Sequence, residues 1–458
     1  MTWEFKNFVK VVDKINNCSA YDLENDIKNV FNTFENEKEI SLAVGQVQSG
    51  KTNKIFRIIE NSLHNHNFDI IILLGGTTNL LYSQTIDRLE NDLLPNLKNI
   101  KNLKYLKNDN IKNSTCNENS KYIIVALKQK DYLSEIYNFL YSIKYRKNKK
   151  ILIIDDESDF GSTNNQNDSE SKIYSSIKKI YKIIDNGYLL FVTATPFANI
   201  VSRNSLDMLP NNIICWSTPR EYTGLKFFND HRNNVYKIIN STKYDNLSIL
   251  TDEIWNSLDY FLKTYIDNYD ELSKLEEISL LYNIDLNCDN HNKVMNILQK
   301  RIKYIKNNTK THYERLFNNE LKDLDLLKKI LNDDIELIIL NKNTASNFEK
   351  KKINIYIGGN LISRGNTFKN LIVEFFVNVS KNKISIDTLL QRCRWFGYRL
   401  DIYKYMKIFI NQTTMDALLE AQKYIDCLTI GIHNPKNLFR EIEALDERAI
   451  NVQSTGKE

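Results

Sequence analysis

The chain has 458 residues, 42% hydrophobic and 26% charged with only 5 Pro and 13 Gly; this composition suits a folded protein of about three average domains and excludes a disordered or collagen-like one. Apolar runs such as Ile70 to Leu74 fall far short of the ~18–20 residues of a membrane-spanning helix, and the opening residues lack an apolar secretory segment, so a cytoplasmic location is expected, with no membrane partner. Basic residues exceed acidic ones by 62 to 57, a net +5 that permits a nucleic-acid partner without specifying one. The cysteines Cys18, Cys116, Cys215, Cys288, Cys393 and Cys427 are too scattered for a zinc ladder or a disulfide framework.

Residues 1–36 form a helical lead-in, with Phe5, Phe8, Val9 and Val12 on one face and Ile27, Val30, Phe31 and Phe34 repeating the spacing. Over 37–205 the apolar runs ISLAV, DIIILL, KYIIVAL, KILIID and YLLFVTA alternate with amphipathic stretches, the pattern of buried parallel strands joined by crossover helices. Residues 206–275 are polar and poor in motifs apart from a helical face of Ile254, Leu258, Phe261, Leu262 and Tyr265, and read as a helical connector or insert. A second strand pattern occupies 276–410 in ISLLYNID, IELIIL, INIYIGG and LIVEFFV, and 411–458 reads as a helical tail. The fold class is therefore α/β, with two doubly wound parallel-sheet lobes.

The strongest local signal is GQVQSGKT directly after ISLAV and before the helical NKIFRIIENSL. Gly45, Gln48, Ser49 and Gly50 supply a loop whose amides can close around phosphate oxygens at a helix N-terminus. Lys51 reaches the β and γ phosphates, and Thr52 can ligate Mg2+. Such a loop needs an acidic partner on a neighbouring strand, and KILIIDDESDF provides one. Asp156 is expected to hold Mg2+ with Asp155 as the spare, and Glu157 to activate the attacking water, because metal binding and base work cannot share one carboxylate. ATP and Mg2+ are the implied ligands. Farther on, the small hydroxyl residues Thr193 and Thr195 in TATP are suited to hydrogen-bond the acidic loop and couple it to other segments.

In this order and spacing, GQVQSGKT, DESD and TATP resemble motifs I, II and III of the superfamily-two helicases, while GGNLISRGNTF resembles motif V and DTLLQRCRWFGYR motif VI. More narrowly, these motifs together with LLGGTTNLLYSQT are similar to the Z-one domain family, helicase-like proteins often labelled endonucleases and found in bacterial restriction and phage-defence systems. The resemblance spans roughly Ser41 to Ile410. It implies that both lobes are RecA-like, that Gly365 and Gln391 contribute to the nucleotide site, that Arg364 couples, and that motif VI supplies an arginine finger facing the nucleotide across the cleft. Arg394 and Arg399 lie three and eight positions after Gln391, where the family pattern has four and seven, so both are candidates. The loop Gly76, Thr77, Thr78 and Asn79 falls where motif Ia meets a nucleic-acid backbone, and small residues with free amides suit phosphate contacts that carry no sequence information. Lys128 and the basic run Lys144 to Lys150 are candidates to flank that path.

The resulting expectation is an ATP hydrolase of the superfamily-two type. It would act as a helicase or translocase on DNA, with RNA the other polymer to consider, and as the motor of a restriction or anti-phage system. An alternative is an ATP-gated scaffold that recruits a separate effector. A nuclease is a further alternative, but the chain shows no hydrophobic-D…E-x-K arrangement, which assigns cutting to a partner subunit.

Overall fold

The computed structural model describes residues 22–76, 78–143, 148–159, 172–196, 199, 208–239, 250–284, 287–317, 324–340, 350–359, 362, 368–377, 384–433 and 452–453. The chain divides into two compact units, one of residues 1–220 with 385–390 and 423–458, the other of 221–384 with 391–422.

The first unit runs α1 (Leu23–Asn32), β1 (Lys38–Val44), α2 (Lys51–His64), β2 (Ile70–Gly75), α3 (Asn79–Arg88), β3 (Leu103–Lys107), β4 (Lys121–Ala126), α4 (Lys130–Tyr141), β5 (Lys150–Asp156), α5 (Lys172–Ile183), β6 (Asn186–Thr193) and β7 (Asn212–Cys215). Among the described residues its seven strands form one parallel sheet in the order β3, β4, β2, β5, β6, β1, β7. Every residue of β2 is buried, as a parallel strand with both faces covered requires. The expected apolar runs are β1, β2, β4, β5 and β6. Of the expected lead-in over 1–36, Phe5, Phe8, Val9 and Val12 lie outside the described residues; α1 lies in its later part, started by the Asp22 side chain accepting from Asn25 N at 2.9 Å. Its Ile27 and Val30 pack into a core with Ile55, Ile58 and Ile59 of α2.

The second unit contains β8 (Tyr222–Thr223), β9 (Tyr236–Ile238), α6 (Thr251–Asp267), β10 (Ile278–Asn283), α7 (Cys288–Asn307), β11 (Ile335–Leu340), β12 (Ile353–Gly358), β13 (Leu371–Phe376), β14 (Gly397–Tyr398) and β15 (Lys407–Ile410). Six of its described strands make a parallel sheet in the order β11, β12, β10, β13, β15, β9. The chain also forms α8 (Ile386–Arg392) and α9 (Gln412–His433). No described helix is long and apolar enough to cross a membrane.

The stretch 206–275 differs from the helical connector expected of it. Its β7 joins the edge of the first sheet and β9 the edge of the second, while α6 buries the expected face of Ile254, Leu258, Phe261, Leu262 and Tyr265. Edge strands of three or four residues carry too few positions to show a period, so these were illegible as strands.

A buried polar cluster fastens α1 to α2. Asp26 and Lys54 form an ion pair whose side chains are 0% and 3% exposed. Lys54 also donates to the Ser217 carbonyl at 2.6 Å, and Ser217 returns its amide and hydroxyl to the Asp26 carboxylate, the hydroxyl at 2.7 Å. Removing one member of such a pair strands the other charge away from water. Asp26→Ala should therefore cost roughly 3–5 kcal/mol of stability, read by urea unfolding, whereas Asp26→Leu combined with Lys54→Met should recover most of it. An Asp26→Ala loss below about 1 kcal/mol would show that the cluster is solvated in solution.

Candidate functional site

The loop between β1 and α2 is shaped by two left-handed residues, Gln48 at φ 58° and Gly50 at φ 86°. Gly50 is the natural residue for that conformation and ends where α2 begins. Gly45 is fixed for another reason: a Cβ there would stand 2.8 Å from Lys51 Cγ and 3.1 Å from the Trp216 ring. The loop thus closes on itself, with Gly45 N donating to the Thr193 carbonyl at 3.0 Å, Ser49 buried, and Lys51 Nζ donating to the Gln46 carbonyl at 3.3 Å. Lys51 and Thr52 are the first two residues of α2, whose first turn holds no acidic residue. The positive end of that helix therefore suits an anion.

The acidic loop follows β5. Asp155 is fully buried against Lys128, with Oδ1 3.0 Å from Nζ, which removes it as a spare metal ligand. Asp156 is half-buried and accepts from the Glu157 amide at 3.0 Å. Burial and the adjacent Glu157 push the Asp156 carboxyl up to about 6, against the pull of the Lys51 and Lys128 ammonium groups. Lys51 thus acts electrostatically on the acidic loop, as one shared site requires. Glu157 has φ 53°, a left-handed conformation uncommon for a residue with a side chain. Ser158 N donates to the Val192 carbonyl at 3.1 Å, and Thr193 Oγ1 donates to Asp159 Oδ1 at 2.7 Å. Thr195 N in turn donates to Thr193 Oγ1 at 3.0 Å, with both threonines fully buried. Motif III therefore joins motif II through its side chain and the phosphate loop through its backbone.

These residues fit a nucleotide with Mg2+. The glycine cradle is closed to any side chain, and Thr52 and Asp156 offer the hydroxyl and carboxylate oxygens that Mg2+ prefers when phosphates and water complete its shell.

At the neighbouring end of β2, Gly76 is left-handed at φ 69°, and a Cβ there would stand 2.9 Å from Leu81 Cβ. Thr78 caps α3 by accepting from Leu81 N at 3.4 Å, and exposed Asn79 opens the helix. Thr77, Arg364, Gly365 and residues 144–147 of the basic run lie outside the described residues. Lys128 does not flank a nucleic-acid path, because its side chain is 0% exposed. Sequence reading missed this because a lysine after an apolar strand looks the same whether it points out or in.

In the second unit, Gln391 lies in α8, and Arg394 and Arg399 are each 6% exposed. Arg399 Nη2 donates to the Phe368 carbonyl at 2.9 Å and the Arg394 carbonyl at 3.4 Å, while Arg394 Nη1 donates to the Gln391 carbonyl at 3.3 Å. Between them, Trp395 and Phe396 are core residues, with Trp395 edge-on to Phe376 at 5.3 Å. Under both arginines lies Glu374 of β13, fully buried and accepting from Asn283 Nδ2 at 3.1 Å. Its sequence signal was the lone charge in LIVEFFV.

A glycine-cradled helix N-terminus and a carboxylate loop at neighbouring ends of one parallel sheet form an arrangement suited to a nucleotide phosphate chain. Residues 21–198 match the family described as type III restriction enzyme, res subunit, and residues 253–437 match the Z1 domain. The two matches support a superfamily-two helicase-like reading of the chain, with a Z1 domain match in its second half. No curated protein matches it. Among solved structures it is similar to S. cerevisiae Dbp5 bound to RNA and ADP BeF3, at 11% identity and TM-score 0.48 over 93% of this chain and 91% of that one. It is also similar to the E. coli DExH-box NTPase HrpB, at 11% identity and TM-score 0.47 over 86% of this chain and 42% of that one. A third is the ATP-dependent Type ISP restriction-modification enzyme LlaBIII bound to DNA, at 11% identity and TM-score 0.43 over 87% of this chain and 28% of that one. The family matches carry the assignment.

Burial drives the Glu374 carboxyl up to about 8, although the Asn283 amide and the two guanidinium groups oppose the shift. Above its ordinary value near 4.5 an unfolded chain releases this proton while the folded chain keeps it until about 8, so this contribution to stability is full below the window and falls across it. Glu374→Gln should flatten that slope. The melting temperature of the variant relative to the parent should rise between about pH 5 and about pH 8, and a constant difference would refute the buried neutral carboxyl.

Proposed function

We propose that this chain is an ATP-dependent nucleic-acid helicase or translocase, acting on DNA as the motor of a bacterial restriction or anti-phage system. The observation that supports this best is the linked set of Gly45, Thr193, Asp159 and the acidic loop, in which phosphate loop, acidic loop and motif III share hydrogen bonds. A motor needs such a linkage because hydrolysis must move something beyond the phosphates.

The roles follow from chemistry. The loop amides of Gly45 to Gly50 cradle the phosphates, with Lys51 stabilising charge on the β and γ groups. Thr52 and Asp156 would hold Mg2+, which supplies charge neutralisation across the phosphate oxygens. Glu157 orients the attacking water and takes its proton. The Gly76, Thr78 and Asn79 loop contacts a nucleic-acid backbone, and the restriction-type family match supports DNA, with RNA as the competing polymer. Cutting belongs to a separate nuclease subunit. Of the motif VI arginines, Arg399 donates to two backbone carbonyls of its own unit, which makes it a buttress; Arg394 is the better finger candidate.

ATP hydrolysis measured with and without single- and double-stranded DNA and RNA tests the reading, with stimulation by DNA expected. Lys51→Ala and Glu157→Gln should abolish turnover without loss of fold, and Glu157→Gln should still bind ATP. Parental turnover by Glu157→Gln would refute the base assignment, and unstimulated hydrolysis by the parent would refute the motor.

Arg394→Lys keeps the charge but loses the planar fork, so stimulated turnover should fall roughly tenfold or more with ATP binding retained. Near-parental stimulated rates in both Arg394→Lys and Arg399→Lys would remove the arginine-finger assignment.

A further inference from the structure

Lys128 is a buried cation beneath the acidic loop. It follows β4, and its side chain and that of Asp155 are both 0% exposed, with Nζ 3.0 Å from Oδ1. The same Nζ donates to the carbonyl of Asp156 at 2.7 Å and to that of Glu157 at 2.8 Å. Two of the ammonium's donors are therefore taken by successive carbonyls, while the Asp155 carboxylate stands beside it as an ion-pair partner. The Lys128 amide donates to the Gly76 carbonyl at 2.9 Å, so the residue is also tied to the loop after β2.

A mere counter-ion for Asp155 would not need to hold the two carbonyls that flank the Glu157 amide. That need arises from the backbone. Glu157 sits at φ 53°, a conformation that a residue with a side chain keeps only where its surroundings over-determine it. Held at both carbonyls, the two peptides on either side of the Glu157 Cα are fixed, and the direction in which the Glu157 side chain leaves the backbone is set.

We propose that Lys128 is a positioning residue for Glu157, a buried ammonium that locks the acidic loop in the strained conformation from which the carboxylate can activate water. The inference rests on the reading of Glu157 as the base. It adds a requirement that the family motifs do not contain: the base needs a lysine from the preceding β4 strand end.

The test separates positioning from charge balance. Lys128→Met alone strands the Asp155 charge and destabilises the unit, so the deciding variant is Lys128→Met with Asp155→Leu, which replaces the buried pair by apolar groups of similar size, a change commonly tolerated. Thermal melting, affinity for a fluorescent ATP analogue, and kcat would be measured in the full chain. The double variant should melt within a few degrees of the parent and bind the analogue within about threefold, yet lose about tenfold or more in kcat, the scale of misplaced general-base catalysis. In single-turnover measurements on Glu157→Gln, adding the two replacements should cost no further rate, since no base remains to be positioned. A double variant with parental kcat would overturn the proposal, as would an equal further loss in the Glu157→Gln background. Should the double variant fail to fold, Lys128 is a structural element and the proposal falls. Parental turnover in Glu157→Gln alone would instead overturn the reading beneath it.

Discussion

The candidate site depends on the register of three parallel strands. β1 pairs with β6 so that Val44 lies beside Thr193, and β6 pairs with β5 so that Val192 lies beside Asp156. Three apolar strands thereby end at one level, each followed by a polar turn. Because side chains alternate faces and both faces of these strands are covered, a slip of one residue would exchange the sets packed on the two faces and mismatch both cores. The core thus sets the positions of the loops, and the hydrogen bonds from Gly45 to Thr193 and from Thr193 to Asp159 are consequences of that alignment.

Much of this was legible before any coordinates. The apolar runs that became β1, β2, β4, β5 and β6 are long enough to read, and GQVQSGKT has a spacing that only a phosphate loop explains. Four of the strands at or beside a sheet edge were not readable. β3 alternates lysine with apolar residues, β7 and β9 are too short to show a period, and β15 follows a run of turns. Buried charges were the other blind spot. Asp26 and Lys54 each stand four residues before an apolar core position, Val30 and Ile58, so they share the buried face of their helices. That register is visible in sequence, but solvated charge is the ordinary expectation and masks it.

The second unit uses aromatic packing to hold its arginines. Trp395 and Phe396 are buried between Arg394 and Arg399, so the backbone carrying both guanidinium groups is anchored by core contacts on β13 and its neighbours. Beneath them Glu374 is kept protonated by burial, and it accepts from the Arg394 backbone amide. The carboxyl therefore acts on the main chain of the motif and leaves the guanidinium groups only weakly neutralised. Burial and the like charge of Arg394 lower Arg399 to about 10, against the pull of Glu374.

The cluster that joins Asp26, Lys54 and Ser217 also bears on the order in which the chain is made. Ser217 lies 191 residues after Asp26, and β1 takes both of its sheet neighbours, β6 and β7, from the far side of the unit's sequence. During synthesis the phosphate loop therefore emerges early but has no sheet to sit in until nearly the whole first unit has left the ribosome. Loop closure over such separations is slow, and the apolar β1 edge stays uncovered meanwhile. A nascent chain halted before β6 and β7 would present that edge to whatever strand or chaperone it meets first.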